Sequence, residues 1–213
     1  MDALEKLKKD WKRSEGIFPM YSEKDIYRMI HQRSSSIVKW ILIISILEFA
    51  FWLALSFFMK DSQGQKKIDS FHIDYITLPM TVVSYAIIIY FFVRFYINYR
   101  KISTTDNVKT LMASILNTRK TVQYYIFANI TYLIITCIVI FSIYFRSDAA
   151  LLETLHRSQA NGDEAKFYLI YIGLALLSII ALVIVVWLFY KLIYGILLKR
   201  LHRNYEELKK IDF

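Results

Sequence analysis

The sequence predicts an all-α polytopic membrane protein with four transmembrane helices extended into cytoplasmic helices, and three observations carry that prediction. First, 56% of the 213 residues are hydrophobic, and they gather in four runs at about 37–59, 73–98, 121–145 and 167–190. Each run reaches the roughly 20 residues a helix needs to cross a hydrocarbon core. Second, helix breakers are scarce, at 5 glycines and 2 prolines. Third, Lys and Arg are unequally shared: nine fall in residues 1–39, three in 60–74, six in 94–122, three in 146–166 and six in 191–213. That alternation is the positive-inside pattern, and it predicts a multi-pass membrane protein with both termini and the middle loop in the cytoplasm.

Along the chain, residues 1–21 read as a cytoplasmic amphipathic segment. Leu4, Leu7 and Trp11 recur at helical spacing before Gly16 and Pro19 break the pattern. Residues 22–197 form the four-helix transmembrane domain. Ser22 and Asp25 match a capping box, and no breaker follows, so one helix is predicted from about Glu23 through the first span to Met59. The second span carries Pro79, which frees the carbonyl of Tyr75 and favours a kink. Between spans two and three, Val108, Leu111, Met112, Ile115, Leu116 and Val122 recur at helical spacing, predicting a cytoplasmic helical hairpin at about 99–122. The outer loop after span three holds a short helical pattern at Ala149, Leu151, Leu152 and Leu155, closed by Asn161 and Gly162. Residues 198–213 continue as a cytoplasmic C-terminal helix, with Leu201, Tyr205 and Leu208 on one side. No cleavable signal peptide is expected, because a charged segment of more than thirty residues precedes the first apolar run and no small-residue cleavage pattern follows it.

Composition excludes several classes of function. The net charge of +9 is explained by topology and by attraction to anionic lipid, so nucleic-acid binding is not expected. Cys137 is the only cysteine, which leaves neither a disulfide framework nor a thiolate metal site. His31 and His202 fall on the inner side and His72 and His156 on the outer, so no cluster of more than two histidines forms across the membrane; an external site of His72, His156 and Asp74 is the alternative to unrelated interfacial histidines, which are the expected reading. Glycine-rich phosphate loops and nucleophile–base pairs are also missing from the sequence. No catalytic residue, metal or cofactor is therefore expected, and the protein is read as non-enzymatic.

The residue that stands out is Glu48, at the centre of the first span, where an ionisable group is costly by about 2.5 kcal/mol or more unless it is paired or wet. Helical projection puts Ser45, Glu48, Trp52 and Ser56 on one face, which must point inward. Thr77, Thr81 and Ser84 line up on the second span, Tyr125, Asn129, Tyr132 and Thr136 on the third, and Tyr171, Ala175 and Ser178 on the fourth. Depth along each span sets Ser84, Tyr132 and Ser178 level with Glu48, so the expected polar centre is Glu48, Ser45, Trp52, Ser84, Tyr132 and Ser178. Such a centre is either a packing device or a proton- or cation-sensitive site. Trp40, Tyr96, Tyr99, Tyr124, Tyr125, Tyr144, Tyr190 and Tyr194 fall near the expected interfaces, where aromatic belts form. In the N-terminal segment, Trp11, Phe18 and Tyr21 are too few to bury one another and must dock on the bundle, the membrane or a partner.

The order of Trp11, Lys12, Glu15, Phe18 and Pro19, then Met29 to Trp40, four spans and Leu198 to Ile211 resembles a group of small inner-membrane proteins of Bacteroidetes. That resemblance implies the bacterial cytoplasmic (inner) membrane, the same four-span fold and, through neighbouring extracytoplasmic-function sigma factors, an anti-sigma-like regulator. The leading expectation is a membrane-anchored regulator or complex subunit that presents a basic helical surface to a cytoplasmic or membrane protein partner. The alternative is a small transporter or channel component using Glu48. Besides the lipid bilayer and that partner, a homo-oligomer is compatible with the wide apolar faces of four spans.

Overall fold

The structure is a computed structural model that describes residues 22–60, 62–105 and 107–211. It is all-α. Six helices follow in order: α1 Glu23–Met59, α2 Gln63–Ser70, α3 Asp74–Ser103, α4 Val108–Ser147, α5 Ala149–Ala160 and α6 Glu164–Ile211. The four long ones are each apolar and long enough to cross a membrane, the pattern of a multi-pass membrane protein. Residues 1–21, with the expected amphipathic helix and Trp11, Phe18 and Tyr21, lie outside the described residues.

Local chemistry sets the helix limits. Ser22 accepts from the Asp25 amide while the Asp25 carboxylate accepts from the Ser22 amide, a reciprocal cap that starts α1. Nothing in the next 36 residues breaks the helix, so it runs on without interruption. Simple caps start two others, Asn107 accepting from the Lys109 amide on α4 and Asp148 from the Leu151 amide on α5. The α2–α3 connection turns through His72 at a φ of 52°, and the α5–α6 connection through Gly162 at 75°, the left-handed conformation that glycine adopts at least cost.

The long helices pack as an up-down-up-down bundle in which α1 neighbours α3 and α6, and α4 neighbours α3 and α6. Its two ends differ. One, the basic end, carries the start of α1, the α3–α4 turn and the end of α6; the other, the capped end, carries α2 and α5. Packing is densest toward the basic end. Ile30, Val38, Ile102, Leu111, Ile115, Leu201 and Leu208 form one buried cluster there. Above it sits a second, of Ile41, Phe91, Phe95, Val122, Tyr125, Tyr190 and Tyr194. The span-three helix thus begins far below the expected bilayer boundary, because the Leu111–Ile115–Val122 stripe finds partners on all three neighbours. Two buried polar pairs tie this end together: Asn204 donates to Ser34 at 3.0 Å and Asn98 to Thr121 at 3.1 Å. Toward the capped end the outward faces are bare, with Phe58 81% and Leu169 75% exposed. Lipid rather than water suits such a surface.

Lengths explain what happens beyond Glu48. α1 stops at Met59, eleven residues or about 16 Å further on, whereas α4 runs twenty-two residues or about 33 Å past Tyr125, which sits level with Glu48. Tilting α1 would only lower its reach. The short α2 fills the missing height, held in place by an ion pair between Lys67 and Asp148 at the end of α4.

Candidate functional site

Glu48 is buried, and three phenolic hydroxyls donate to it. Tyr190 reaches Oε1 at 2.5 Å, and Tyr125 and Tyr194 reach Oε2 at 2.8 and 3.2 Å. Helical geometry brings them together. A helical side chain leans toward the N-terminus of its own helix, so Glu48 leans toward the basic end while Tyr190 and Tyr194, on antiparallel α6, lean the opposite way. Four residues separate the two tyrosines, which places them one turn apart on a single face. The rings hold each other: Tyr125 packs edge-on against Tyr190 at 6.0 Å, Tyr194 at 5.9 Å and Phe95 at 5.4 Å between centroids. Three helices are thereby joined through one carboxyl group.

The expected neighbours of Glu48 have other partners. Tyr132 donates to the Met80 carbonyl at 2.6 Å, and Ser178 is exposed and bonds its own helix at Leu174. Ser84 and Trp52 line a cavity instead. Ser45 is buried one turn below Glu48, with its hydroxyl on the Leu42 carbonyl. The physical reason is register. Depth counted from the apolar limits of each span treats the four helices as starting level, but Ile41 of α1 packs beside Tyr194 of α6 and Val122 of α4. Glu48 therefore faces Tyr125, seven residues or about 10 Å nearer the basic end than Tyr132. Tyr125, Tyr190 and Tyr194 are core residues rather than parts of an aromatic belt, whereas Trp40 and Tyr124 of that set are exposed. A signal for them was present. The Leu208, Leu201 and Tyr205 stripe, extended toward the capped end, meets Tyr194 after two turns and Tyr190 after three, and the Leu111–Ile115–Val122 stripe meets Tyr125.

Directly toward the capped end from this cluster lies the cavity, of about 530 Å³. Its walls come from α1 (Phe49, Trp52, Leu53, Ser56), the first half of α3 and residues 129–144 of α4, and its roof includes Gln65 and Ile68 of α2. Helix α6 contributes only Val186 and Tyr190, at the floor. Tyr190 therefore touches both the cavity and Glu48. The space lies between α1, α3 and α4, and α2 roofs it without filling it.

The charge pattern differs between the two ends. At the capped end Lys67 pairs with Asp148, Lys166 with Asp163 at 2.7 Å and Arg157 with Glu153 at 3.7 Å. Lys67 holds the Asp148 carboxyl below its ordinary range, helped by the Leu151 amide, and Asp148 in turn raises Lys67. At the basic end Arg203 is the only Lys or Arg with an acidic partner within 4 Å among the described residues, on Glu207 at 3.7 Å. Arg28, Arg33, Lys101, Lys120, Lys199 and Arg200 are exposed there.

A family model described as a domain of unknown function (DUF8845) matches residues 24–213. The chain belongs to this family. The match takes in all six helices, so the Glu48–tyrosine cluster, the roofed cavity and the basic end all lie within the DUF8845 domain. No curated protein and no solved structure matches the chain.

Proposed function

We propose that the protein is a non-enzymatic, membrane-anchored regulator or complex subunit whose basic end lies in the cytoplasm and receives an acidic protein partner. The observation that carries this reading is the contrast in charge pairing on a packed scaffold. At the capped end Lys67, Arg157 and Lys166 meet local carboxylates, whereas the cations at the basic end stand on four helices locked by the Leu111–Leu208 cluster, with Glu207 answering only Arg203. Rigid presentation of unpaired like charge selects and steers an oppositely charged partner.

The test has two arms. With Cys137→Ser as background, single cysteines placed at Arg33 and at Arg157 are labelled by an impermeant maleimide in intact cells; only the second should react. Cross-linking in native membranes then compares the wild type with a variant carrying Arg28→Glu, Arg33→Glu and Lys101→Glu. Loss of the cross-linked species supports the reading, and recovery of the same species from the charge-reversed protein refutes it.

A second reading, transport or channel gating through Glu48, is favoured by one observation: Tyr190 links Glu48 to the cavity floor. Solute or proton flux in reconstituted vesicles that is lost in Glu48→Gln would support it.

A further inference from the structure

We propose that the cavity beneath α2 binds an uncharged amphiphile drawn from the bilayer, an apolar chain carrying one hydroxyl-type head group that pairs with Thr136. Four features of the site point to this class.

The first is size. At about 530 Å³ the cavity falls within the roughly 300–1,000 Å³ of ordinary small-molecule sites, and it is walled by three long helices and roofed by α2. The second is charge. Among the described residues its lining holds no Asp, Glu, Lys, Arg or His, and the ion pair beside the roof, Lys67 with Asp148, is already closed on itself. An ion entering a site of low dielectric would find no counter-charge, and its desolvation would go uncompensated. The third is access. The roof is occupied by α2 and the floor by Tyr190, while the α1 wall stays half open, with Trp52 49% and Leu53 41% exposed among lipid-facing surfaces. Molecules already dissolved in the bilayer are the ones that meet that opening.

The fourth is an orphan hydroxyl. Serines and threonines in membrane helices ordinarily settle their hydroxyls on the carbonyl four residues earlier. Thr81 does so on Thr77, Ser142 on Ile138 and Ser178 on Leu174, each at 2.8 Å. Thr136 lines the cavity, while its Oγ1 is closed off from open space and has no hydrogen-bond partner, so a turn about χ1 is what presents it to a bound head group. A buried polar atom left in this way favours a ligand that supplies the missing bond. Ser84 and Tyr132 share the lining but differ in what they offer, since the Tyr132 hydroxyl is already spent on Met80.

The experiment uses the full chain in phosphatidylcholine nanodiscs and hexadecanol carrying a diazirine in its chain. Photolabelling should saturate, be displaced by unlabelled hexadecanol and map to residues 49–56, 77–88 or 129–144. The diazirine analogue of hexadecanoate, offered at pH 8, should show no saturable labelling of these peptides. Thr136→Val keeps the side-chain shape and should weaken hexadecanol binding by about threefold to tenfold, the worth of one hydrogen bond. Ser84→Trp fills the space and should abolish saturable labelling, with the Thr136→Val result standing on its own if Ser84→Trp does not fold. The proposal fails if labelling rises linearly with probe and spreads over lipid-facing positions such as Leu174 and Leu177. It fails equally if the acid labels as well as the alcohol, or if Thr136→Val binds like the wild type.

Discussion

Replacing Glu48 by Leu removes the one acceptor shared by three buried hydroxyls and leaves Tyr125, Tyr190 and Tyr194 in place with nothing to donate to. Each hydrogen bond is worth about 1 kcal/mol, and interhelical ones in membranes average about 0.6 with a maximum near 1.7. Three of them set the expected loss at about 2–4 kcal/mol for Glu48→Leu and about 1 kcal/mol for Tyr190→Phe alone. The informative variant combines Glu48→Leu with Tyr125→Phe, Tyr190→Phe and Tyr194→Phe. Removing donors and acceptor together leaves no orphaned polar group, and an apolar centre of similar volume is close to neutral, so most of the lost stability should return. Unfolding in detergent mixtures, followed by tryptophan fluorescence from Trp40, Trp52 and Trp187, measures the midpoints. A Glu48→Leu protein as stable as the wild type, or a fourfold variant less stable than Glu48→Leu, would sink the view that this cluster holds α1, α4 and α6 together.

Three further outcomes follow from the geometry. The α2 roof is pH-dependent in a defined window: Asp148 has a lowered pKa, so its contribution is complete above the ordinary 3.8 and is lost as pH falls through its depressed value, while the raised Lys67 contributes fully below 10.5 and is lost as pH rises beyond that. Hydrogen exchange of the α2 amides should therefore be flat from about pH 5 to 9 once corrected for intrinsic rates, and Asp148→Asn should raise it throughout that range. Ser34→Ala strips the acceptor from the buried Asn204 amide and should cost about 1–3 kcal/mol in the same unfolding assay, with Ser34→Ala plus Asn204→Leu recovering part of it. Gly162→Ala meets no neighbouring atom but must hold a φ of 75°, so it should cost about 1–2 kcal/mol, read as earlier thermal loss of the α5–α6 hairpin.

The extent of α1 was legible in the sequence, because Ser22 and Asp25 form a complete local cap and no breaker follows before Met59. So was the helix beneath span three, since the Leu111–Ile115–Val122 stripe is periodic on its own. Glu48 stood out for the same kind of reason: a lone carboxyl in an apolar run is costly wherever the run is placed. Its partners were not legible. Ser84, Tyr132 and Ser178 were the expected set because polarity and depth were counted within each span, and neither quantity contains the register between helices.

Local rules thus determined which segments are helical, where they begin and that one face of each turns inward, since capping, periodicity and hydrocarbon thickness act within a single segment. The tertiary structure alone decided the register that gathers Ile41, Tyr125, Tyr190 and Tyr194 in one cluster and sets Glu48 against three tyrosines, and that α1, α3 and α4 enclose a cavity beneath α2. Register comes from side chains far apart in sequence fitting together across helices, Glu48 with Tyr194 being 146 residues apart. The axial position at which four stripes interlock best is a property of their joint packing and is carried by no one helix.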